Sequence, residues 1–245
     1  IIRVHSPLAG ALSGPDADPA DLEALDQAIV DALVELRALH VAGWPAAETE
    51  DRKMLDKAVV DSGWRPGPVY EFLAATPGVV WMPSKGFGSG SGAAAVRYKH
   101  PVARKRGTKI SPDGHSHLSW QGPPRRQYLL NFDADHWKQT AQQGFLLPLE
   151  KPGAITVFGD TPATHRRFEQ HILAEKWTES YHPKKGYVGE FIASGPNHWL
   201  DALAEALAAL SLVGFRTMIV EGLAAGVAPP KSLSLSAMQK QKGVG

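Results

Sequence analysis

Two aspartates stand where a chain places residues that do chemistry. Asp61 ends the apolar run Ala58-Val59-Val60 and is followed at once by Ser62 and Gly63. Asp201 sits in the first turns of an Ala- and Leu-rich stretch, residues 196–215, one step off the face formed by Leu200, Leu203, Leu207 and Leu210. Each has an ordinary explanation. Asp-Ser-Gly is good turn chemistry after a strand, because Asp bonds its own backbone and Gly accepts unusual dihedrals. An acid near a helix N-terminus is favoured by the helix dipole. The other explanation takes the two together. Two carboxylates brought to one sheet edge, with no basic partner in the sequence beside them, repel unless a cation bridges them. Mg²⁺ or Mn²⁺ prefers such an oxygen environment, and two such ions can activate water and stabilise both oxygens of an in-line phosphodiester displacement.

The elements that must position these acids follow from pattern. Pro19 behind Asp18 opens a helix whose Leu22, Leu25, Ile29, Leu33, Leu36 and Leu39 recur at helical spacing. KAVVD reads as a strand, PVYEFLAAT (68–76) as a short helix and GVVWM as a second strand. Apolar strands without period-two alternation around a helix make a βαβ unit with parallel strands covered on both faces. In such sheets ligands sit beyond the carboxyl ends of the strands, where Asp61 lies. Ile2 to Val4, QYLLNF and GAITVFG read as further strands. THRRFEQHILAEKW and residues 196–215 read as helices, and Asp133 or Asp135 as the cap of a helix through Trp137 and Lys138. SKGFGSGSGAAAV is Gly-rich, but it lacks the G-x-x-x-x-G-K-[ST] pattern and opens no helix, so it reads as a connector. His115 and His117 form a His-x-His pair without a third ligand at metal spacing and read as surface loop.

Composition narrows the chemistry. The 245 residues contain no cysteine, which excludes disulfides, thiolate-held zinc and thiol catalysis. No apolar run approaches the roughly 18 residues of a membrane helix. The net charge of +1 hides a strong asymmetry. Residues 16–56 are acidic, whereas residues 85–126 carry Lys85, Arg97, Lys99, Arg104, Lys105, Arg106, Lys109, Arg125 and Arg126 against a single acid, Asp113. That is either a solvated basic loop or the footprint of a phosphate backbone. Carboxylates for metal and a basic segment for nucleic acid together make the layout of ribonuclease H-like nucleases.

VVDSGW, followed by VYEF and PSKG, resembles the nuclease domain of the large terminase subunit of tailed phages, of the lambda-like type. FDADHWK and NHWLDALAEALAAL resemble two further segments of that family, and the similarity runs in order from about Leu55 to Phe215. The resemblance implies an α/β, ribonuclease H-like mixed sheet flanked by helices with a basic hairpin-rich insertion. It implies an endonuclease domain over residues 1–225, while the Pro-, Ser- and Lys-rich composition of 226–245 reads as a flexible basic tail. Asp61 and Asp201 become ligands of a two-ion Mg²⁺ or Mn²⁺ site, with Asn197 beside the second; Asp133 and Asp135, besides their reading as helix caps, stand as candidates for a supporting third ligand. Lys85, Arg97, Lys99, Lys109 and the Arg104, Lys105, Arg106 cluster become DNA contacts. The implied partners are double-stranded DNA, an upstream motor domain, the small terminase subunit and the portal, within a packaging complex in the host cytoplasm and away from membranes. The family also uses an aspartate on a first strand. IIRVHSPL has no acid, which places that aspartate upstream of Ile1. Two rival expectations share these residues: another ribonuclease H-like recombinase or resolvase, and a DNA-binding packaging module without catalysis.

Overall fold

A computed structural model describes residues 19–45, 51–76, 80–89, 97–101, 108–157, 161–183 and 186–213. The expected strand at Ile2 to Val4, the Arg104, Lys105 and Arg106 cluster and the 226–245 tail lie outside the described residues. The first described element is α1 (Pro19–Ala42), followed by a small antiparallel pair, β1 (Trp44–Pro45) and β2 (Arg52–Lys53). The βαβ unit follows as β3 (Ala58–Asp61), α2 (Pro66–Ala74) and β4 (Trp81–Phe87). Next come β5 (Thr108–Ile110), β6 (Ser116–Gln121), β7 (Gln127–Asp133) and α3 (Ala134–Gly144). A 3₁₀ turn (Pro162–His165) leads into α4 (Arg166–Ile172), the hairpin β8 (Glu175–His182) and β9 (Gly186–Ala193), and finally α5 (His198–Leu212).

Five strands form one mixed sheet in the order β3-β4-β7-β6-β5. β3, β4 and β7 run parallel, while β6 and β5 return antiparallel. Both faces are covered. Val59, Met82, Leu118, Leu130 and Phe132 meet Trp137 and Ala141 of α3 and Leu200, Ala204 and Ala208 of α5. Ala58, Val60 and Trp81 meet Leu33 of α1 and Val69, Phe72 and Leu73 of α2 on the other face. Two covered faces are why β3 and β7 read as unbroken apolar runs. Ala204 and Ala208 are almost fully buried, and their small side chains let α5 approach the sheet closely.

Several expectations change. Among the described residues β3 pairs with β4 alone, so Asp61 ends the strand at one edge of the described sheet. The residues SKGF finish β4 and pair with β7 from Ser84 opposite Leu130 to Phe87 opposite Asp133; the connector reading fails there because Gly86 is paired in the ladder, with the Phe132 ring 3.0 Å from where its Cβ would be. GAITVFG is not a strand over residues 154–157. Its Ala154 N–H bonds Lys151 O at 3.1 Å, its Ile155 N–H bonds Gly144 O at 2.9 Å, and the Ile155 side chain packs on Gly144. The helix expected through Trp177 stops at Ile172. Ala174 O accepts both the N–H and the hydroxyl of Ser194, at 2.7 and 2.9 Å, and this starts the β8–β9 hairpin.

Candidate active site

Strand periodicity aims Asp61. Val59 packs toward α5 and Val60 toward α2, so Asp61, two residues after Val59, belongs to the α5 face. Its register partner is Ser84, whose hydroxyl donates to Glu205 Oε2 at 3.2 Å on α5. Gly63 N–H donates to Asp61 Oδ1 at 2.8 Å, and Ser62 Oγ donates to Ser84 O at 2.8 Å. Asp61 is therefore a turn former and also a cleft-lining acid; the two readings of this residue are compatible. Asp201 reaches the same cleft from the first turn of α5, and Glu205 from one turn further along the same helix face. The cleft holds about 460 Å³ and is also lined by Lys85, Gly86, Gly88, Asp135, Lys138 and Glu175. A Cβ on Gly88 would sit 2.8 Å from Asp135 Oδ1, so a bare backbone is what keeps this wall in place.

The charges are strongly coupled. Lys138 Nζ lies 2.5 Å from Glu175 Oε2 and 2.7 Å from Asp201 Oδ1, which ties α3 to β8 and α5. Burial pulls the Lys138 ammonium down, but Asp201 and Glu175 outweigh it and hold it above its ordinary value. Asn197 Nδ2 donates to the other Glu175 oxygen at 2.7 Å. Asp61 lies at the exposed rim, yet the concave wall strips enough hydration to raise its carboxyl. The Gly63 N–H opposes that rise, Asp201 adds to it and Lys85 opposes it. Burial, followed by the charge of Asp61, pushes Glu205 up to about 8.

That shift has a measurable consequence. An acid raised from 4.5 to about 8 stays protonated in the folded protein while the unfolded chain ionises. Stability therefore falls as pH climbs through that window, and the penalty is absent below it. Glu205→Gln keeps the acceptor for Ser84 and removes the ionisation. Urea unfolding should find the variant on the order of 1–4 kcal/mol more stable than wild type at pH 8 and equal to it at pH 4.5. An offset that does not vary with pH would overturn this account of Glu205.

The remaining expected residues divide. Asp133 caps α3, accepting from His136 N at 3.2 Å, and meets His115 Nδ1 at 3.3 Å; it does not line the cleft. Asp135 lines the cleft but accepts Ser89 N–H on both oxygens, at 3.0 and 2.8 Å, and Ser89 Oγ at 3.0 Å. Lys85 is at the cleft rim. Arg97 donates to Gly189 O at 2.7 Å, Lys99 is exposed, and Lys109 lies over the Tyr128 ring away from the cleft. Glu175, Lys138 and Glu205 are the site residues that sequence reasoning missed. Glu205 had a signal, the i, i+4 spacing from Asp201 on one helix face. The expectation of paired acids with no basic partner is corrected by Lys138, which arrives from a distant helix.

The donor set of Asp61, Asp201 and Glu205 suits a hard divalent cation: all the donor atoms are oxygen, Asp61 is raised by burial and by the charge of Asp201, and Glu205 by burial and by the charges of Asp61 and Asp201. Among the described residues no three His, Asp or Glu side chains are already gathered as a metal cage, and Lys138 supplies the neutralising charge beside Asp201. No family model matches the chain, and no curated protein or solved structure matches it. Among the described residues no helix is long and apolar enough to cross a membrane. The fold and site define an α/β protein with a mixed five-stranded sheet and a carboxylate cleft.

Proposed function

We propose that this chain is a metal-dependent DNA endonuclease, the ribonuclease H-like nuclease domain of a phage terminase large subunit that cuts double-stranded concatemers during packaging. The observation that carries the reading is the convergence of Asp61, Asp201 and Glu205, from β3 and from two turns of α5, on one cleft beside Lys85. Asp61, Asp201 and Glu205 would hold Mg²⁺ or Mn²⁺, which supplies an activated water and charge neutralisation at the scissile phosphate. Lys85 adds a cation at the rim for a phosphate, and Asn197 and Lys138 fix the Glu175 and Asp201 carboxylates. The basic segment, with Arg97, Lys99 and the Arg104, Lys105, Arg106 cluster, would hold the duplex.

A second reading also has an observation behind it. Lys138 already neutralises Asp201 and Glu175, as it would in a DNA-binding module without catalysis. Incubation with supercoiled plasmid in Mn²⁺ or Mg²⁺, against EDTA, decides between the two. Cation-dependent nicked and linear product is the expected result. Duplex binding with no cleavage in either metal would favour the binding module. Preference for a branched substrate over plain duplex would favour a recombinase or resolvase instead.

A further inference from the structure

A second concave site lies at the opposite end of the strands from the carboxylate cleft. It holds about 580 Å³ where the start of β4 (Trp81, Met82), the end of β6 (Trp120) and the start of β7 (Gln127, Tyr128) meet the C-terminal turn of α2. Lys57, Lys109, Arg125 and Arg126 line it, and no acid does. Lys57 precedes Asp61 by four residues, and Tyr128 precedes Phe132 by four, so the two sites are separated by roughly 13 Å or more at 3.3 Å per residue.

Its walls combine two kinds of surface. Trp120 is 47% exposed, although it is a large aromatic paired opposite Tyr128 near the end of the β6–β7 ladder. The two rings meet edge to face with centroids 5.1 Å apart, which fixes the indole and leaves one face uncovered by Tyr128. The cations stand around it. The Arg125 guanidinium lies 3.9 Å over the Tyr70 ring, an arrangement that orders the group while its N–H fork stays available in plane. Lys109 Nζ sits 5.6 Å over the other aromatic, Tyr128. Arg126 has a positive φ of 49°, unusual for a non-glycine residue, in the turn closed by its N–H to Gly122 O at 3.2 Å.

We infer that this groove binds an unpaired stretch of nucleic acid, with a base stacked on Trp120 and the flanking phosphates on Lys109, Arg125 and Arg126. An ordered aromatic face among cations is what a single-stranded tract requires, since every base has a π-face and every linkage a negative charge. A duplex keeps its bases stacked on one another and gains nothing from Trp120. The groove is within the 300–1,000 Å³ range of small-ligand pockets, large enough for a base and its sugar. The inference does not depend on cleavage in the carboxylate cleft.

The test is fluorescence anisotropy with a labelled twelve-residue oligothymidylate and an equally long labelled duplex, in EDTA so that cleavage plays no part. Trp120→Ala should weaken oligothymidylate binding roughly 5- to 150-fold and leave duplex binding within about twofold. Trp120→Phe, which keeps a stacking face, should stay within about threefold of wild type and controls for folding. Changing Arg125 and Arg126 together to Gln should lower the salt slope of oligothymidylate binding by about 1.4, at 0.7 per phosphate contact. Unchanged oligothymidylate affinity in Trp120→Ala would overturn the inference. So would displacement of the oligonucleotide by polyglutamate of equal charge as effectively as by unlabelled oligothymidylate, since the groove would then be a cation patch alone.

Discussion

Asp201→Asn and Asp61→Asn should each reduce cation-dependent nicking of supercoiled plasmid by at least roughly 100-fold while the protein remains folded. Asn keeps the shape of Asp and removes the charge that holds a hard cation, so the loss falls on metal binding and on the charge available to the reaction. Folding should survive both changes. The Asp201 side chain is 43% exposed, so losing its contact with Lys138 should cost no more than about 1 kcal/mol, the range of exposed ion pairs. Asp61→Asn keeps the carbonyl that accepts Gly63 N–H, and so keeps the turn. Plasmid nicking in Mn²⁺ with a urea midpoint measured on the same samples checks both halves. Wild-type cutting by either folded variant would remove that acid from the site, and with it the convergence on which the nuclease reading stands.

Lys138→Met should have the largest effect on stability. The Lys138 and Glu175 side chains are only 12% and 10% exposed, and removing one member of a buried pair strands the other's charge. A loss of about 3–5 kcal/mol at pH 7 follows, since Lys138 ties α3 to both β8 and α5. The folded-state pKa of Lys138 is raised, so its contribution is complete below its ordinary value of 10.5 and fades only as pH rises through the higher folded value. Neutral pH is therefore where the full loss should be read. Millimolar Mg²⁺ should recover part of it, because a cation bound to the folded state and not to the unfolded chain stabilises by mass action. A variant within about 1 kcal/mol of wild type would mean that Asn197 alone satisfies Glu175. A full loss that Mg²⁺ leaves untouched would count against a cation site at these acids.

How far the site was legible depended on whether its parts lie within one element. VVDSGW placed Asp61 at the carboxyl end of a parallel strand because an apolar run and a turn signal are adjacent in sequence. The Leu and Ala spacing of residues 198–212 placed Asp201 at the start of a helix for the same reason. Both readings of a short segment gave way where a long-range bond competed. AEKW has helical composition, but Ala174 O bonds Ser194, twenty residues ahead, and the chain becomes a hairpin. GAITVFG has strand composition, but it found no ladder partner over residues 154–157 and hangs instead on Gly144.

By itself the sequence determined the parallel βαβ unit, the amphipathic α1, the close-packed α5 and two of the acids, since each rests on periodicity or turn chemistry within a few residues. The tertiary structure alone decided which charges meet. Lys138 from α3, Glu175 from β8 and Glu205 from α5 come together only when α3 and α5 pack on one face of the sheet. It also set Trp120 and Tyr128 opposite each other across β6 and β7, beside Arg125 and the C-terminal turn of α2. Electrostatic coupling acts through space over a few ångströms and takes no account of separation along the chain. Residues 37 or 63 positions apart, such as Lys138 with Glu175 and with Asp201, therefore carry no local pattern that reveals their pairing.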